Sequence, residues 1–382
     1  MKYAFFALMP LFLLSVGCMP DSPEALSLRA EQAYAEGNYS KAIATYEALL
    51  AKGGNAPITY YNLALAAFQT EDYTYSIKML DKAIAAGATV EVADMCYELK
   101  GLVAEREKDF TRAAASYRKA LNSPSMEIKV RVHSRLANVY MAQKHYDAAL
   151  ALLLNAVEIS PMDAITLYNF GMLCRHEAVN LRQAALDSFR QAERLLPEGS
   201  AKMKDTKKQV MRLEGYLTSL KQVPAISGDK TACEKQLKLM RDAQKRKNYK
   251  TAESHARKAT EADPSNYEAA LELGRLCKQN KDKVAALKAY DAALTIRPNA
   301  TAARYEAARI AYESQKYSAA ANYLRPALVS DPRNSAQADL MGRILYAQRQ
   351  NVNAKLWFER YLRLAPNANN TYREWVQKLP EA

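Results

Sequence analysis

The sequence predicts an all-α fold, a solenoid of helix–turn–helix units, from two linked observations. Four arginines, Arg241, Arg275, Arg309 and Arg343, recur every 34 residues. Around them runs a fixed frame: a small residue, a mostly bulky one four later, a mostly small one three after that, then proline. Ala286, Tyr290, Ala293 and Pro298 give way to Ala320, Leu324, Ala327 and Pro332, and these to Ala354, Phe358, Tyr361 and Pro366. Self-similarity at this period marks a stack of helix pairs. The small residues let two helix axes approach and the bulky one fills the space between successive pairs. Proline cannot continue a helix, so it punctuates the unit.

Nine units follow in order, starting near Pro23, Pro57, Asp94, Val130, Ala164, Cys233, Tyr267, Thr301 and Ser335. The second fits through Tyr60, Leu63, Ala64, Tyr73, Leu80 and Ala83. The fourth fits throughout, from His133, Leu136, Ala137 and Tyr140 to Tyr146, Ala149, Ala156 and Pro161. The fifth needs about two extra residues between its helices, and the first ends in Gly53-Gly54 where others have Pro. These residues resemble the tetratricopeptide repeat. The resemblance implies a right-handed superhelical solenoid of about nine repeats, in two blocks.

Ahead of the array, Met1-Lys2-Tyr3 is a short positive start and Ala4 to Val16 is mostly apolar. Crossing a bilayer takes about 20 apolar residues, so this stretch reads as a signal-peptide core. Leu14-Ser15-Val16-Gly17-Cys18 resembles a bacterial lipobox. That implies cleavage before Cys18 and lipidation of its thiol; the alternative is an ordinary secretory signal with an incidental Cys. Met19 follows, where an Asp would imply inner-membrane retention. The resemblance therefore implies an exported lipoprotein of the outer membrane, facing the periplasm.

The sequence divides as a signal peptide at 1–17, a lipidated Cys and tether at 18–22, and a first block of five repeats at 23–199. A basic helix at 200–221 and a linker at 222–232 precede a second block of four repeats at 233–368, with a cap at 369–382. Pro224 and Gly228 within a polar run mark the linker. An end repeat needs a wetter outer face, so 201–220 and the segment with Tyr372 and Trp375 are expected to cap the two blocks.

Charge is concentrated at the junction. Residues 201–258 hold 16 Lys/Arg against 6 Asp/Glu, most of the chain's net +13. Lys204, Lys207, Lys208, Lys245, Arg246 and Lys247 are the densest part. Such a patch attracts anionic protein, lipid or glycan, or serves as a solvated face. Nucleic acid suits an exported chain poorly, and no nucleic-acid module accompanies the charge.

The resemblance also implies a concave groove lined by the first helices. In the first block it takes in Tyr34, Tyr61, Leu65, Phe68, Leu102, Met141, Tyr168 and Met172, an apolar and aromatic set suited to a peptide with hydrophobic anchors. In the second it takes in Arg241, Arg275, Arg309 and Arg343 with Lys278, Tyr305, Tyr312 and Tyr346. Guanidiniums beside tyrosines suit an acidic ligand. The competing account pairs each arginine inside the array, for example with Glu234, Glu268 or Asp339. The carboxylate clamp of chaperone-binding members is not reproduced; Asn138 alone matches it.

Chemistry has little to stand on. His133, His145, His176 and His255 show no catalytic or metal-ligand spacing, His133 taking a core position. No C-x-x-C occurs, and Cys174 and Cys277 share a position expected to be buried. No enzyme activity, cofactor or metal is expected. The expected function is a lipid-anchored envelope scaffold that holds other envelope proteins, an acidic or C-terminal peptide segment being one candidate ligand. The alternatives are a basic surface for anionic lipid or glycan, and a cytoplasmic adaptor.

Overall fold

The computed structural model describes residues 22–176, 181–220 and 228–379. Among these every regular element is a helix. The first helices of the repeats are α1 (Pro23–Ala35), α3 (Pro57–Gln69), α5 (Val90–Arg106), α7 (Met126–Ala142) and α9 (Ala164–Arg175), then α12 (Lys230–Lys245), α14 (Tyr267–Gln279), α16 (Thr301–Glu313) and α18 (Ser335–Ala347). The second helices are α2 (Tyr39–Ala51), α4 (Tyr73–Ala85), α6 (Phe110–Ala120), α8 (Tyr146–Ile159), α10 (Arg182–Leu195), α13 (Tyr249–Ala262), α15 (Lys283–Ile296), α17 (Tyr317–Ser330) and α19 (Asn351–Leu364). Two further helices, α11 (Ala201–Leu220) and α20 (Asn370–Gln377), follow the two runs. The expected all-α solenoid of paired helices is what forms.

Local chemistry sets the ends. Asn38, Asp72, Asp109, Asn248 and Asp282 each cap a second helix, the side chain accepting a backbone N–H three residues on. Such caps satisfy donors that the helix leaves orphaned. The residue just before the cap takes left-handed φ at Glu71, Lys108, Lys247, Lys281 and Arg349, and Gly37 stands there in the first repeat. Three first helices start a turn earlier than the frame predicts. Thr89, Ser125 and Asp229 place the caps of α5, α7 and α12 ahead of Asp94, Val130 and Cys233. Consequently 230–232, read from the sequence as linker, belong to α12, while 222–227 lie outside the described residues.

Packing within a repeat turns on one pair of positions. Gly171 faces the Phe189 ring and Gly274 the Tyr290 ring; a Cβ on either glycine would lie 2.8–3.0 Å from ring carbons. Gly101 and Gly342 meet Tyr117 and Phe358 in the same way. Where the second helix offers leucine, the first offers alanine, as at Ala64 with Leu80 and Ala308 with Leu324. In the sixth repeat the sizes reverse, Met240 with Ala256, and Ala30 with Tyr46 is the exception. The summed bulk is thus nearly constant, as close packing requires.

The chain divides into two compact units, Met1–Gln143 and Lys144–Ala382, so the fourth repeat contributes one helix to each. This boundary is not the linker seen in the sequence. In the first unit the core runs from Leu26 and Ala30 through Leu63, Met79 and Leu80 to Leu99 and Val103. In the second, α8 packs against α9 and also against α19, some 200 residues later. Two runs, α9–α10–α11 and α12–α19, therefore start and finish at α8. α20 stands where a tenth first helix would, Asn369 following Ser335 by 34 residues. Its Tyr372 and Trp375 pack edge-on against the Phe358 ring.

Gly274→Ala is expected to crowd Tyr290, whose buried hydroxyl has no hydrogen-bond partner. Combined with Tyr290→Leu, it recreates the pairing of Ala64 with Leu80. The double variant should be more stable than the sum of the singles by at least about 1 kcal/mol in urea unfolding; strict additivity would contradict this packing rule.

Candidate partner-binding surfaces

The apolar positions of the first-unit groove divide by burial. Tyr61, Leu65 and Leu102 are half-buried against the core and keep an accessible edge. Burial pushes the Tyr61 hydroxyl above the usual tyrosine value, with Glu98 adding to the effect. Phe68 instead is buried, tilted on Tyr73 at 5.8 Å with the Arg106 guanidinium at 5.9 Å from its ring. It forms the wall of the groove, and little of it is open to a ligand. Between these residues lies a polar knot that the sequence reading missed. Glu98, nearly buried, accepts from Arg131 at 2.9 Å and from Arg135 at 3.1 Å, and Arg131 also reaches Glu127 at 2.6 Å.

Tyr168 and Met172 belong to the second unit. Met172 is half-buried. Tyr168 is covered by α11: its hydroxyl donates to Asp205 at 2.7 Å, and the Lys202 ammonium sits 4.3 Å above its ring. Burial and the Asp205 carboxylate push this hydroxyl up to about 12. The side chain expected to greet a ligand is instead holding the capping helix.

Each arginine of the ladder has a carboxylate partner. Arg241 bridges to Glu268 at 2.6 Å, Arg275 to Glu272 at 2.5 Å, Arg309 to Glu306 at 3.5 Å and Arg343 to Asp339 at 2.7 Å. Two of the three carboxylates expected from the sequence are used; Glu272 and Glu306 replace Glu234. Tyr372 donates to Asp339 at 2.6 Å, so the last rung is tied to the cap. Tyr305 lies 6.0 Å from Arg309, Tyr312 tilts against Tyr317 at 5.7 Å, and Tyr346 is exposed at the edge of Trp375. The groove wall is therefore a row of ion pairs, with Lys278 and Glu306 paired between them. A ligand carboxylate would have to share or displace an internal one. The basic residues split as well: Lys204, Lys207 and Lys208 are exposed on α11, which packs on α10, whereas Lys245, Arg246 and Lys247 close α12, which packs on α13.

Polar groups are buried where α8 meets residues of α17 and α19. Arg325 grips Asp147 through two parallel bonds, Nε to Oδ1 at 2.7 Å and Nη2 to Oδ2 at 2.8 Å. Trp357, fully buried, donates its indole N–H to the Asp147 carbonyl at 2.9 Å. Glu158 gathers Arg333 at 3.3 Å, Arg360 at 3.2 Å and Arg363 at 3.1 Å, and Asn155 accepts from the last two. Burial pulls Arg360 down to about 10, Glu158 opposing the shift. The sequence carried a signal for this contact in Ala148-Ala149-Leu150-Ala151-Leu152-Leu153-Leu154, all buried. A helix that is apolar all round is covered all round.

Cys96, Cys174, Cys233 and Cys277 are free and buried, and burial pushes the Cys96 and Cys277 thiols up to about 12. His133 is buried with Nδ1 on the Lys129 carbonyl at 2.8 Å, and His176 stacks on Tyr146 at 4.1 Å. Among the described residues no group of three or more His, Cys, Asp or Glu could hold a metal. Cys18 and the segment before it lie outside those residues.

Tetratricopeptide-repeat family models match residues 12–57, 27–91, 61–127, 237–301 and 305–369, and a further one matches 130–162. The chain belongs to the tetratricopeptide-repeat family. No curated protein matches the sequence of this repeat protein. Among solved structures it is similar to YrrB, described as a TPR protein with an unusual peptide-binding site, at 19% identity over 49% of this chain and 93% of that one, TM-score 0.37. It is similar also to pilF of Pseudomonas aeruginosa, at 16% identity over 66% and 99%, TM-score 0.32. MamA of Desulfovibrio magneticus RS-1 matches at 16% identity over 39% and 83%, TM-score 0.36.

Arg325→Met should leave the nearly buried Asp147 carboxylate unpaired and lower the stability of the repeat protein by about 3 kcal/mol or more. Adding Asp147→Asn should recover most of that loss in denaturant unfolding. Arg275→Ala with Arg309→Ala removes partly exposed pairs whose arginines reach solvent, so each should change stability by less than about 1 kcal/mol. A larger loss in the same unfolding measurement would make the ladder a structural element.

Proposed function

We propose that this repeat protein is a lipid-anchored scaffold of a bacterial cell envelope, whose first-helix faces hold segments of other envelope proteins. The repeat family supports a protein-binding scaffold. The anchor reading rests on the apolar run ending at Cys18, placed just ahead of a repeat array that opens at Pro23. Lipid on a cysteine adds about 0.8 kcal/mol per buried CH₂, so more than one acyl chain holds a protein firmly. Tyr61, Leu65 and Leu102 offer apolar contact in the first unit, and the paired arginines with Tyr305 and Tyr346 offer polar contact in the second. An acidic segment would bind there by taking guanidinium donors from Glu272 and Glu306.

A cross-linked pull-down from cells fed an alkyne fatty acid tests both parts together. The wild type is expected to take the label, sediment with membranes and bring down envelope proteins, whereas Cys18→Ala loses label and sedimentation. Arg275→Ala with Arg309→Ala should keep the label and lose part of the catch. Equal behaviour of wild type and Cys18→Ala would reject the anchor, and an undiminished catch with the double arginine variant would reject the second-unit groove.

A further inference from the structure

The basic helix α11 has a face that neither the fold nor the grooves use. Its inner side, with Met203, Val210 and Leu213 buried, joins it to α10. Along the outer side run Lys204, Lys208, Met211 and Gly215, one above the next at helical spacing, flanked by Lys207 and Arg212; all six are exposed. Met211 is 67% exposed, an apolar side chain among the cations. A Cβ built on Gly215 meets nothing within 4 Å, so the lower end of the strip is open.

The charges on this face lack internal counterparts. Both carboxylates of α11 are engaged elsewhere, Asp205 by Tyr168 and Glu214 by Arg190 at 2.6 Å. Among the described residues no ion pair or hydrogen bond engages the side chain of Lys204, Lys207, Lys208 or Arg212. On the ladder, in contrast, every arginine is matched. Position also matters. α11 follows the fifth repeat as a first helix would, but among the described residues only α10 packs extensively on it. Lys207 falls where the frame calls for the small residue that admits a close neighbour. A repeat-type partner helix is thus excluded from close packing, while one held by charge at longer reach is not.

We propose that the α11 strip docks an acidic amphipathic helix of a partner protein, its carboxylates spaced to meet Lys204, Lys207, Lys208 and Arg212 and one apolar residue resting on Met211 and Gly215. From Lys204 to Arg212 is about 12 Å along the axis, two turns, which matches carboxylates three and four residues apart on the incoming helix. The strip is one helix wide and is bordered by the Glu214 and Asp205 carboxylates. A flat anionic bilayer would press against those carboxylates as well, whereas a single helix fits between them. The docking needs neither the lipid anchor nor the grooves.

The test uses fluorescence anisotropy with the chain from residue 19 onward and two labelled Ala-rich peptides of one composition. One carries its glutamates and a leucine along one face, and the other has them dispersed around the helix. The one-faced peptide is expected to bind at low salt, and the dispersed one at least fivefold more weakly. Lys204→Glu with Lys208→Glu should weaken the one-faced peptide tenfold or more and admit a lysine-faced counterpart. Gly215→Leu keeps every charge and should weaken the one-faced peptide severalfold with the circular dichroism unchanged. Equal affinity for the two peptides, or indifference to Gly215→Leu, would overturn the helix berth. So would adsorption to phosphatidylglycerol vesicles, but not to phosphatidylcholine ones, without peptide binding; the strip would then be a lipid-facing surface.

Discussion

Each repeat rests on the contact between a small residue on one of its helices and the bulky side chain it faces on the other, the small residue standing on the first helix in all but the sixth. The contact fixes how near the two axes come, and that distance sets where the next pair can sit. Four glycines face aromatic rings, and Ala64, Ala137 and Ala308 stand opposite leucines, so the same spacing is reached with different residues. A solenoid multiplies any local error in spacing by the number of units, so a change on one side of this contact calls for a matching change on the other. The variable positions lie on the outer faces, where a change alters charge or shape without moving the axes.

Much of this was legible from the sequence because helix pairing is periodic and local. The 34-residue recurrence located first and second helices, and helices also form at 201–220 and around Trp375. The misses were of two kinds. Helix starts at α5, α7 and α12 shifted because Thr89, Ser125 and Asp229 cap a turn earlier, a side-chain effect that the repeat frame does not contain. The second kind was tertiary. The partner of Arg325 lies 178 residues away at Asp147, and no repeat spacing encodes such a pair. Only the uninterrupted apolar run of α8 hinted that its outer side would be covered.

The surfaces offered for binding differ in how their charge is held. On the second-unit ladder, guanidiniums sit in pairs with carboxylates, so an acidic ligand gains only the difference between two similar contacts. In the first unit the accessible edges of Tyr61, Leu65 and Leu102 surround the Glu98 knot, giving apolar area around a neutralised centre. Aromatic residues at ladder and cap are likewise engaged, with Tyr372 on Asp339 and Tyr346 on Trp375. Recognition there would depend on shape more than on net charge.

The return of α19 to α8 has a consequence for how this molecule can change over evolutionary time. Open arrays lengthen or shorten freely, since a duplicated unit only moves the end outward. Here the circuit from α8 to α19 must come back to Asp147 and Glu158. One extra 34-residue unit inside it would carry Trp357 and Arg360 past their partners and leave buried cations with nothing to meet. The contact at α8 therefore fixes how many units fit between it and α19, a constraint that an open array does not carry.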